Sequence, residues 1–204
     1  MIRSELKKNA KNQLKNNWLL AIGVLIVCQL ISYIPNILSI VSEELIFIGI
    51  VIPIVTLAIT GPLSIGQCKF FINLANKSNP KFSDLWYGFN NILKAIGVAL
   101  LVGIIVFLGS ILFVVPGIIF AYRYSQVYYI MAENPDMPVL DVLKESSRIM
   151  KGRKFELFVL QLSFIGWIIL TGITAGIAGL YVFPYYNTTL TNLHRAATGS
   201  CCPD

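Results

Sequence analysis

Arg123 is the residue whose placement most suggests chemistry, because it lies in a segment that is otherwise apolar and aromatic. The segment runs from Ile118 to Met131 and carries no other charged side chain. If it crosses a membrane, the charge costs about 2.5–3.5 kcal/mol on insertion scales, which indicates a buried partner or a polar pathway. The alternative is that the side chain extends from a short helix to the headgroup phosphates. The candidate intramembrane polar site consists of Arg123 and the residues that could pair with it, Gln67, Tyr128 and Glu133.

Basic residues elsewhere in the chain form clusters beside apolar runs, and two clusters are candidate contacts for anionic lipid. A cationic side chain near an anionic leaflet contributes about 1 kcal/mol to binding. The alternative is that the clusters only hold flanking segments in the cytoplasm, and the second could also bind a soluble partner. The net charge of +6 is therefore explained without binding to nucleic acid, and we expect no nucleic acid as a partner. The candidate contacts are Lys7, Lys11 and Lys15 in the first cluster and Lys144, Arg148, Lys151, Arg153 and Lys154 in the second.

The sequence lacks the residue constellations of an active site or a metal centre. The single histidine, His194, has no carboxylate or cysteine near it in the chain, which favours a structural or interfacial role. Cys28 and Cys68 lie in apolar surroundings, and the adjacent Cys201 and Cys202 lack the spacing of metal ligands. No glycine-rich phosphate-binding motif occurs. We therefore expect no enzymatic activity, no metal and no cofactor.

The composition indicates that these residues are positioned by helices in a lipid bilayer. Hydrophobic residues make up 56% of the chain and charged residues 13%. A soluble domain averages about 45–50% apolar and about 25% charged residues. The missing charge coincides with several long uncharged runs, which indicates that lipid is the solvent for most of this surface. The fold class predicted is an all-α, polytopic transmembrane bundle of about six spans, some of them short or kinked, with cytoplasmic amphipathic helices.

The charge clusters orient these spans. The connection after the first span carries Glu43 and Glu44 without a basic residue, which predicts that it lies outside. A topology with six crossings of the cell membrane and both termini in the cytoplasm places every basic cluster on the cytoplasmic side. Five crossings would place the C-terminus outside. We expect the first apolar run to remain as a span, because no cleavage site follows it. The predicted spans are residues 18–34, 45–63, 92–115, 118–131, 155–174 and 177–193.

Proline and glycine residues predict where the spans bend or end. We expect Pro35 to end the first span, a kink in the second with the helix continuing toward Ala75, and a tight outer turn before the fourth. The last span is interrupted by polar residues, so it should pack against other helices rather than face lipid on all sides. The predicted helix breaks are Gly61, Pro62, Pro116, Gly117 and Pro184.

Two segments have the apolar periodicity of amphipathic helices. Residues 2–16 and 138–151 repeat apolar side chains at spacings of three and four, with charged residues on the opposite face. The sequence of residues 82–89 predicts a short helix with tryptophan and tyrosine at the level of the lipid headgroups. The domain organisation expected is a basic helix over residues 1–17, a single transmembrane domain over residues 18–195 and a flexible tail over residues 196–204.

Residues 116–158 and two later segments resemble an uncharacterised bacterial family of multi-pass membrane proteins. That family is usually described as a domain of unknown function. The family is similar to the membrane domain of glycerophosphoryl diester phosphodiesterases. These residues include no phosphodiesterase domain, so the resemblance implies a membrane fold and no such chemistry. Near Leu193 and His194 the family tends to have an aromatic pair, which this chain lacks. The matching segments are PGIIFAYRYSQVYYIMAENP, SSRIMKGRKFELF, LSFIGW and GIAGLYVFPYY.

Two functions from different classes fit these features. The first is a non-enzymatic membrane protein that organises or senses the bilayer, with a role in envelope homeostasis and with anionic headgroups as its partner. The second is a small transporter, exporter or immunity-type component, because broken helices often line transport sites. A polar cavity between the spans would favour the second function, and a dry, lipid-filled bundle the first. A homo-oligomer is compatible with either, and no feature identifies another protein partner.

Overall fold

The computed structural model describes residues 3–41 and 51–199, which form helices and turns without a strand in those ranges. A 3₁₀ helix, Phe82–Asn91, precedes α4. The outer connection with Glu43 and Glu44, the start of the second predicted span, and Cys201 and Cys202 lie outside the described residues. The α-helices are Arg3–Leu14 (α1), Trp18–Val41 (α2), Ile52–Ala75 (α3), Ile92–Leu112 (α4), Val114–Arg123 (α5), Val127–Glu133 (α6), Val139–Ile149 (α7), Lys154–Leu162 (α8), Ile165–Ile173 (α9) and Gly179–Thr198 (α10).

Four segments within the described residues are long and apolar enough to cross a membrane. They are Trp18–Ile37, Ile52–Ala75, Phe82–Ile111 and Lys154–Ile173. The prediction of an all-helical chain with apolar segments of membrane-spanning length is therefore confirmed, whereas the count of about six spans is not. The predicted fourth span divides into α5 and α6, and α10 is not among the four.

The termini of several helices meet at one end of the molecule. The Arg195 guanidinium in α10 donates to the Ala75 carbonyl at the end of α3. Arg153, just before α8, donates to the Ala196 carbonyl in α10. Lys94, near the start of α4, donates to the carbonyls of Pro135 and Asp136, which follow α6. The chain therefore leaves this end through α4 and α8, and it returns to the same end after α6 and α10.

We call this end the cap and define it as residues 3–14, 67–91, 127–149 and 187–198. Most of its apolar side chains are fully enclosed, including Phe70, Phe71, Leu74 and Met131, as in the core of a soluble protein. Polar side chains in α10 are buried there too, among them Thr188 and Thr191. The second half of α10 is polar because it packs inside the cap, which confirms the expectation that the last helix packs against its neighbours.

The rest of the molecule exposes many of its apolar side chains, although others there, such as Leu160 and Phe164, are buried. Leu93 is 83% exposed, Phe113 72% and Ile173 77%. Soluble proteins rarely expose a contiguous apolar surface larger than a few hundred Å². Lipid is the solvent that suits this surface, since burial in hydrocarbon removes these side chains from water. The molecule thus has a tightly packed cap and an open apolar region.

The 3₁₀ helix lies directly against α3 because two glycines allow it to. A Cβ atom on Gly66 would overlap the Leu85 carbonyl, and one on Gly88 would overlap the Pro62 carbonyl. The start of this helix is fixed by Asp84, whose carboxylate accepts hydrogen bonds from the Lys81 backbone N–H and the Asn73 side chain. The helix predicted at residues 82–89 is therefore present, and it packs along α3.

The predicted helix breaks are only partly correct. The chain does not turn at Pro116 and Gly117. It turns at Phe113, whose backbone is extended (φ −163°, ψ 147°), and Pro116 occupies the first turn of α5, where its missing N–H has no helical partner to lose. Gly117 packs closely against Ser110 of α4 and so allows the two helices to approach.

Prolines within the long helices do not end them. Pro35 lies inside α2, which continues to Val41, so the prediction that the first span ends there is wrong. Pro62 lies inside α3, which continues to Ala75 as predicted, with Gly61 packed against the Ala95 carbonyl. Pro184 likewise lies inside α10. Apolar helices tolerate such prolines because neighbouring groups satisfy the freed carbonyls.

Candidate functional site

A cleft of about 450 Å³ between α2 and α10 is a candidate site. One wall is the face of α2 from Ile22 to Tyr33, and the other runs from Gly176 to Asn187. Gln67 of α3 contributes where the cleft approaches the cap. Gly176 stands in the turn between α9 and α10 with a φ of +91°, a conformation that favours glycine. The volume is within the usual range for small-molecule sites, about 300–1,000 Å³.

The cleft is apolar except for a few uncharged polar groups. The Gln67 amide donates to the Asn187 side-chain oxygen over 3.3 Å, and the Asn187 amide donates in turn to the Phe183 carbonyl. Gln29 and Tyr33 lie one helical turn apart on the α2 wall and make no hydrogen bond within residues 3–41 and 51–199. Among the described residues that line the cleft there is no Asp, Glu, Lys, Arg or His. Its chemistry therefore suits an apolar molecule with an uncharged polar group.

A chain of polar contacts leads from this cleft into the cap. The Thr191 hydroxyl donates to the Asn187 carbonyl, and Tyr129 of α6 lies beside Thr191. The Tyr129 ring stacks on His194 with centroids 4.9 Å apart. These contacts connect the cleft residues of α10 to the packing of α10 against α6.

His194 is the centre of the buried polar cluster in the cap. Its side chain is fully enclosed, with Nδ1 2.9 Å from the Gln126 side-chain oxygen and Nε2 3.3 Å from a Glu133 carboxylate oxygen. The sequence suggested no partner for this histidine because Glu133 lies 61 positions away in the chain. A buried ring with both nitrogens paired is well suited to fix one helix against another.

Arg123 does not face the cleft. Its Nε–H donates to the Ser147 hydroxyl over 2.7 Å, and the guanidinium lies 5.8 Å from the centre of the Tyr124 ring. The neighbouring Ser146 hydroxyl donates to the Arg123 carbonyl, which would otherwise lack a partner at the end of α5. Arg123 therefore joins α5 to the amphipathic helix α7.

The four residues of the candidate intramembrane site are thus divided among three places. Arg123 bonds to α7, and Gln67 bonds to Asn187 at the cleft. Glu133 pairs with His194 instead of Arg123. Tyr128 is partly buried in α6 beside Cys68. The structure brings none of the three proposed partners into a hydrogen bond with Arg123 among the described residues.

The basic residues of α7 are largely paired with acids on the same helix. Lys144 bonds to Asp141 over 3.0 Å, and Arg148 forms a two-pronged pair with Glu145. The Arg148 hydrogen bond lowers the pKa of Glu145 below its ordinary value, so the small stabilisation from this pair is present at neutral pH and is lost on acidification through that lowered pKa. The exposed face of α7 is therefore closer to neutral than its lysines and arginines suggest.

The other candidate lipid contacts lie on α1 and around the start of α8. Lys7 and Lys11 of α1 lie over the rings of Phe164 and Tyr185, with the ammonium groups 4.4 and 5.6 Å from the ring centres. Lys15 and Lys151 are exposed, while Lys154 is half-buried and Arg153 holds the Ala196 carbonyl. Cations above aromatic rings are typical of a membrane–water boundary.

The thiols and acids of the described residues do not assemble into a metal site. No group of three or more His, Cys, Asp or Glu side chains is close enough to hold an ion in residues 3–41 and 51–199. Cys28 and Cys68 are free, and Cys28 is buried. The expectation of small apolar roles for these two cysteines agrees with that burial.

Comparison with known families decides where this chain belongs. The model of a family described as a protein of unknown function, DUF975, matches residues 1–122 and 110–200. The chain is a member of the DUF975 family. Searches of curated proteins and of solved structures found no match. The DUF975 matches together cover both walls of the cleft and the buried cluster of the cap, so both features lie within the family domain.

Proposed function

We propose that this DUF975 protein is a non-enzymatic, multi-pass protein of the bacterial cell membrane that senses or organises the lipid around it, with a role in envelope homeostasis. The observation that carries this proposal is the contrast between the open apolar region and the tightly packed cap. The apolar region presents side chains such as Leu93 and Ile173 to lipid. Because α10 extends from the apolar region into the cap, a change in the lipid around the apolar region would alter the packing of the cap.

The orientation proposed places the cap and both termini in the cytoplasm, with about six crossings. The segments α5–α6 and α10 are the fourth and sixth crossings. Support comes from the return of the chain to Lys94 after α6 and to Ala75 at the end of α10. Basic side chains cluster at the cap, as the positive-inside rule predicts for a cytoplasmic face.

The partner proposed for the cap is the anionic headgroup layer. Lys7 and Lys11 lie over aromatic rings, and Lys8 and Lys15 are exposed on the same helix. Because α7 neutralises much of its own charge, α1 is the stronger candidate of the two basic helices. Surface cations of this kind contribute about 1 kcal/mol each near an anionic leaflet.

Hydrogen exchange in lipid nanodiscs tests the proposed sensing function. The full-length protein is placed in nanodiscs of neutral phosphatidylcholine and in nanodiscs with an added anionic lipid. We expect protection of the amides in α6 and in residues 187–198 to differ severalfold between the two. Protection that is identical in both compositions would contradict sensing. The Asn187→Leu variant, which removes the contact with Gln67, is expected to reduce the difference while the cap remains folded.

A relation to the membrane domain of glycerophosphoryl diester phosphodiesterases is a further part of the proposal. The segments around residues 116–135 and 176–186 support it by their resemblance to that domain. The shared element would be the membrane fold alone. No phosphodiester chemistry is assigned to this chain.

The second candidate function is that of a small transporter, exporter or immunity-type component. The cleft favours it, because Gln67 and Asn187 place polar groups between apolar helices and Pro184 interrupts the hydrogen bonding of one wall. Transport requires that the cleft open alternately to the two sides of the membrane. Labelling of Gln67→Cys, in a variant without the natural cysteines, distinguishes the two functions. Reaction from both sides favours transport, and reaction from neither favours a lipid-filled bundle.

A further inference from the structure

The cleft between α2 and α10 contains polar groups whose hydrogen-bonding capacity is not used. Gln29 carries an amide and Tyr33 a hydroxyl, and neither forms a hydrogen bond in the part of the chain that the structure describes. Burying such a group in hydrocarbon without a partner costs several kcal/mol. Within a bilayer these two side chains therefore favour an occupant that can both donate and accept hydrogen bonds.

The charge of the cleft limits what that occupant can be. In residues 3–41 and 51–199 the cleft is lined by no Asp, Glu, Lys, Arg or His, so an ionised headgroup there would lose its hydration without gaining a counter-ion from these residues. The amides of Gln29, Gln67 and Asn187 instead offer uncharged donors and acceptors. An uncharged hydroxyl or ester matches them.

The apolar lining of the cleft determines what the apolar part of the occupant can be. Ile22, Leu25, Ile26 and Leu30 form one wall, and Leu180 and Phe183 stand on the other. The cavity of about 450 Å³ opens among side chains that face lipid, such as Tyr33 at 57% exposure. A hydrocarbon chain can therefore enter from the bilayer without leaving an apolar environment.

From these observations we infer that the cleft binds one acylglycerol, an uncharged lipid with an acyl chain along the α2–α10 walls and its hydroxyl and ester groups at Gln29, Gln67 and Asn187. The inference rests on the proposed embedding of the protein in a bilayer, and it adds an uncharged lipid ligand to the anionic headgroups proposed for the cap. Bound lipid would contact Asn187, whose carbonyl holds Thr191 and so reaches the packing of α6 against α10. The site is distinct from the basic face of α1, which suits anionic headgroups.

Photo-crosslinking of the full-length protein in nanodiscs tests this site. The probe is a monoacylglycerol with a diazirine in its acyl chain, and a diazirine fatty acid of the same chain length serves as the anionic comparison. Crosslinked residues are located by peptide mass spectrometry. We expect the monoacylglycerol to label peptides from residues 22–33 and 176–187 at least severalfold more than other lipid-facing peptides.

Two variants and a matched control sharpen the test. Ile26→Trp fills the cleft from a residue that is 42% exposed, and Ile104→Trp places the same side chain on a lipid-facing residue of α4 that is 46% exposed. We expect Ile26→Trp to abolish the specific labelling and Ile104→Trp to leave it unchanged. Gln29→Leu removes one neutral hydrogen bond and should weaken saturable labelling about threefold to tenfold.

Three outcomes would overturn the inference. They are equal labelling of all lipid-facing helices, labelling that survives Ile26→Trp, and labelling by the fatty acid as strong as that by the monoacylglycerol. The hydrogen-exchange experiment is read separately. If exchange in the cap depends on lipid but the cleft is not labelled, only the acylglycerol site fails. If the cleft is labelled but exchange is insensitive to lipid, the sensing function fails.

Discussion

Individual polar side chains join elements that lie far apart in the chain. His194 and Glu133 link α10 to α6 inside the cap, and Arg123 and Ser147 link α5 to α7. In each pair the partner lies more than twenty positions away. A buried polar group stabilises the fold only while its partner is present, because the unpaired group pays the full cost of losing water.

The first prediction concerns the His194 cluster. His194→Leu leaves the Gln126 oxygen and the Glu133 carboxylate without a partner, so we expect a loss of about 1–3 kcal/mol of unfolding free energy. A double-mutant cycle with Glu133→Gln should give a coupling energy above about 0.5 kcal/mol, since the two side chains are in contact. Chemical unfolding in detergent micelles measures both values. Strict additivity would show that the contact makes no energetic contribution.

The second prediction concerns Arg123. Arg123→Leu removes the donor to Ser147 and the charge, whereas Arg123→Lys keeps the charge, so we expect the leucine variant to fold or function less well. Ser147→Ala, which keeps Arg123 and removes its acceptor, should have an intermediate effect. Yield of folded protein and melting temperature are the measurements. Wild-type behaviour of both Arg123 variants would rule out a required charge.

These residues also show the limit of inference from sequence. Arg123 stood out because a charge among apolar neighbours is conspicuous, but its partner could not be named from spacing. His194 had no carboxylate nearby in the chain, and Glu133 was considered only as a partner of Arg123. Long-range pairs depend on how helices pack, and single-residue patterns do not carry that information. The uncharged cleft was also not predicted, since Gln29 and Asn187 belong to different helices.

The helices differ in how well their sequences define them. The amphipathic helices α1 and α7 were predicted within about two residues at each end, because the periodicity of their apolar side chains marks both of them. The break between α5 and α6 was missed, since Ser125 and Gln126 carry no strong breaking signal. Proline gave the opposite error, because Pro35 predicted the end of a helix at a point where α2 continues.

The third prediction concerns the contact between α3 and the 3₁₀ helix. Gly66→Ala introduces a methyl group that overlaps the Leu85 backbone, so one of the two helices must move. Overpacking of this kind costs about 1–3 kcal/mol, and we expect a matching fall in unfolding free energy.

Gly103→Ala is the matched control for this variant. Gly103 lies in α4, and a Cβ atom there meets no other atom within 4 Å. Alanine has the higher helix propensity, so this variant should be neutral or more stable by up to about 1 kcal/mol. Equal stability of the two variants would mean that α3 and the 3₁₀ helix do not pack as closely as described.

The whole molecule combines two modes of packing that composition alone did not separate. The sequence indicated a membrane protein, and the DUF975 match and the apolar helices agree with that assignment. It did not reveal that four separate segments of the chain converge in a densely packed cap. Cap residues such as Phe70 and Leu74 are as apolar as lipid-facing ones, so hydropathy assigns both to the membrane.

The central claim for the whole molecule is the proposed return of the chain to the cytoplasmic side through α5–α6. Single cysteines introduced into a variant without natural cysteines report the side of each position to a membrane-impermeant maleimide. Asn134→Cys follows α6, Lys8→Cys is the cytoplasmic reference, and Glu44→Cys stands in the connection predicted to lie outside. In intact cells we expect reaction at Glu44→Cys alone, with Asn134→Cys and Lys8→Cys reacting only after permeabilisation. Reaction of Asn134→Cys in intact cells would contradict the proposed orientation, because the cap would then lie on both sides of the membrane.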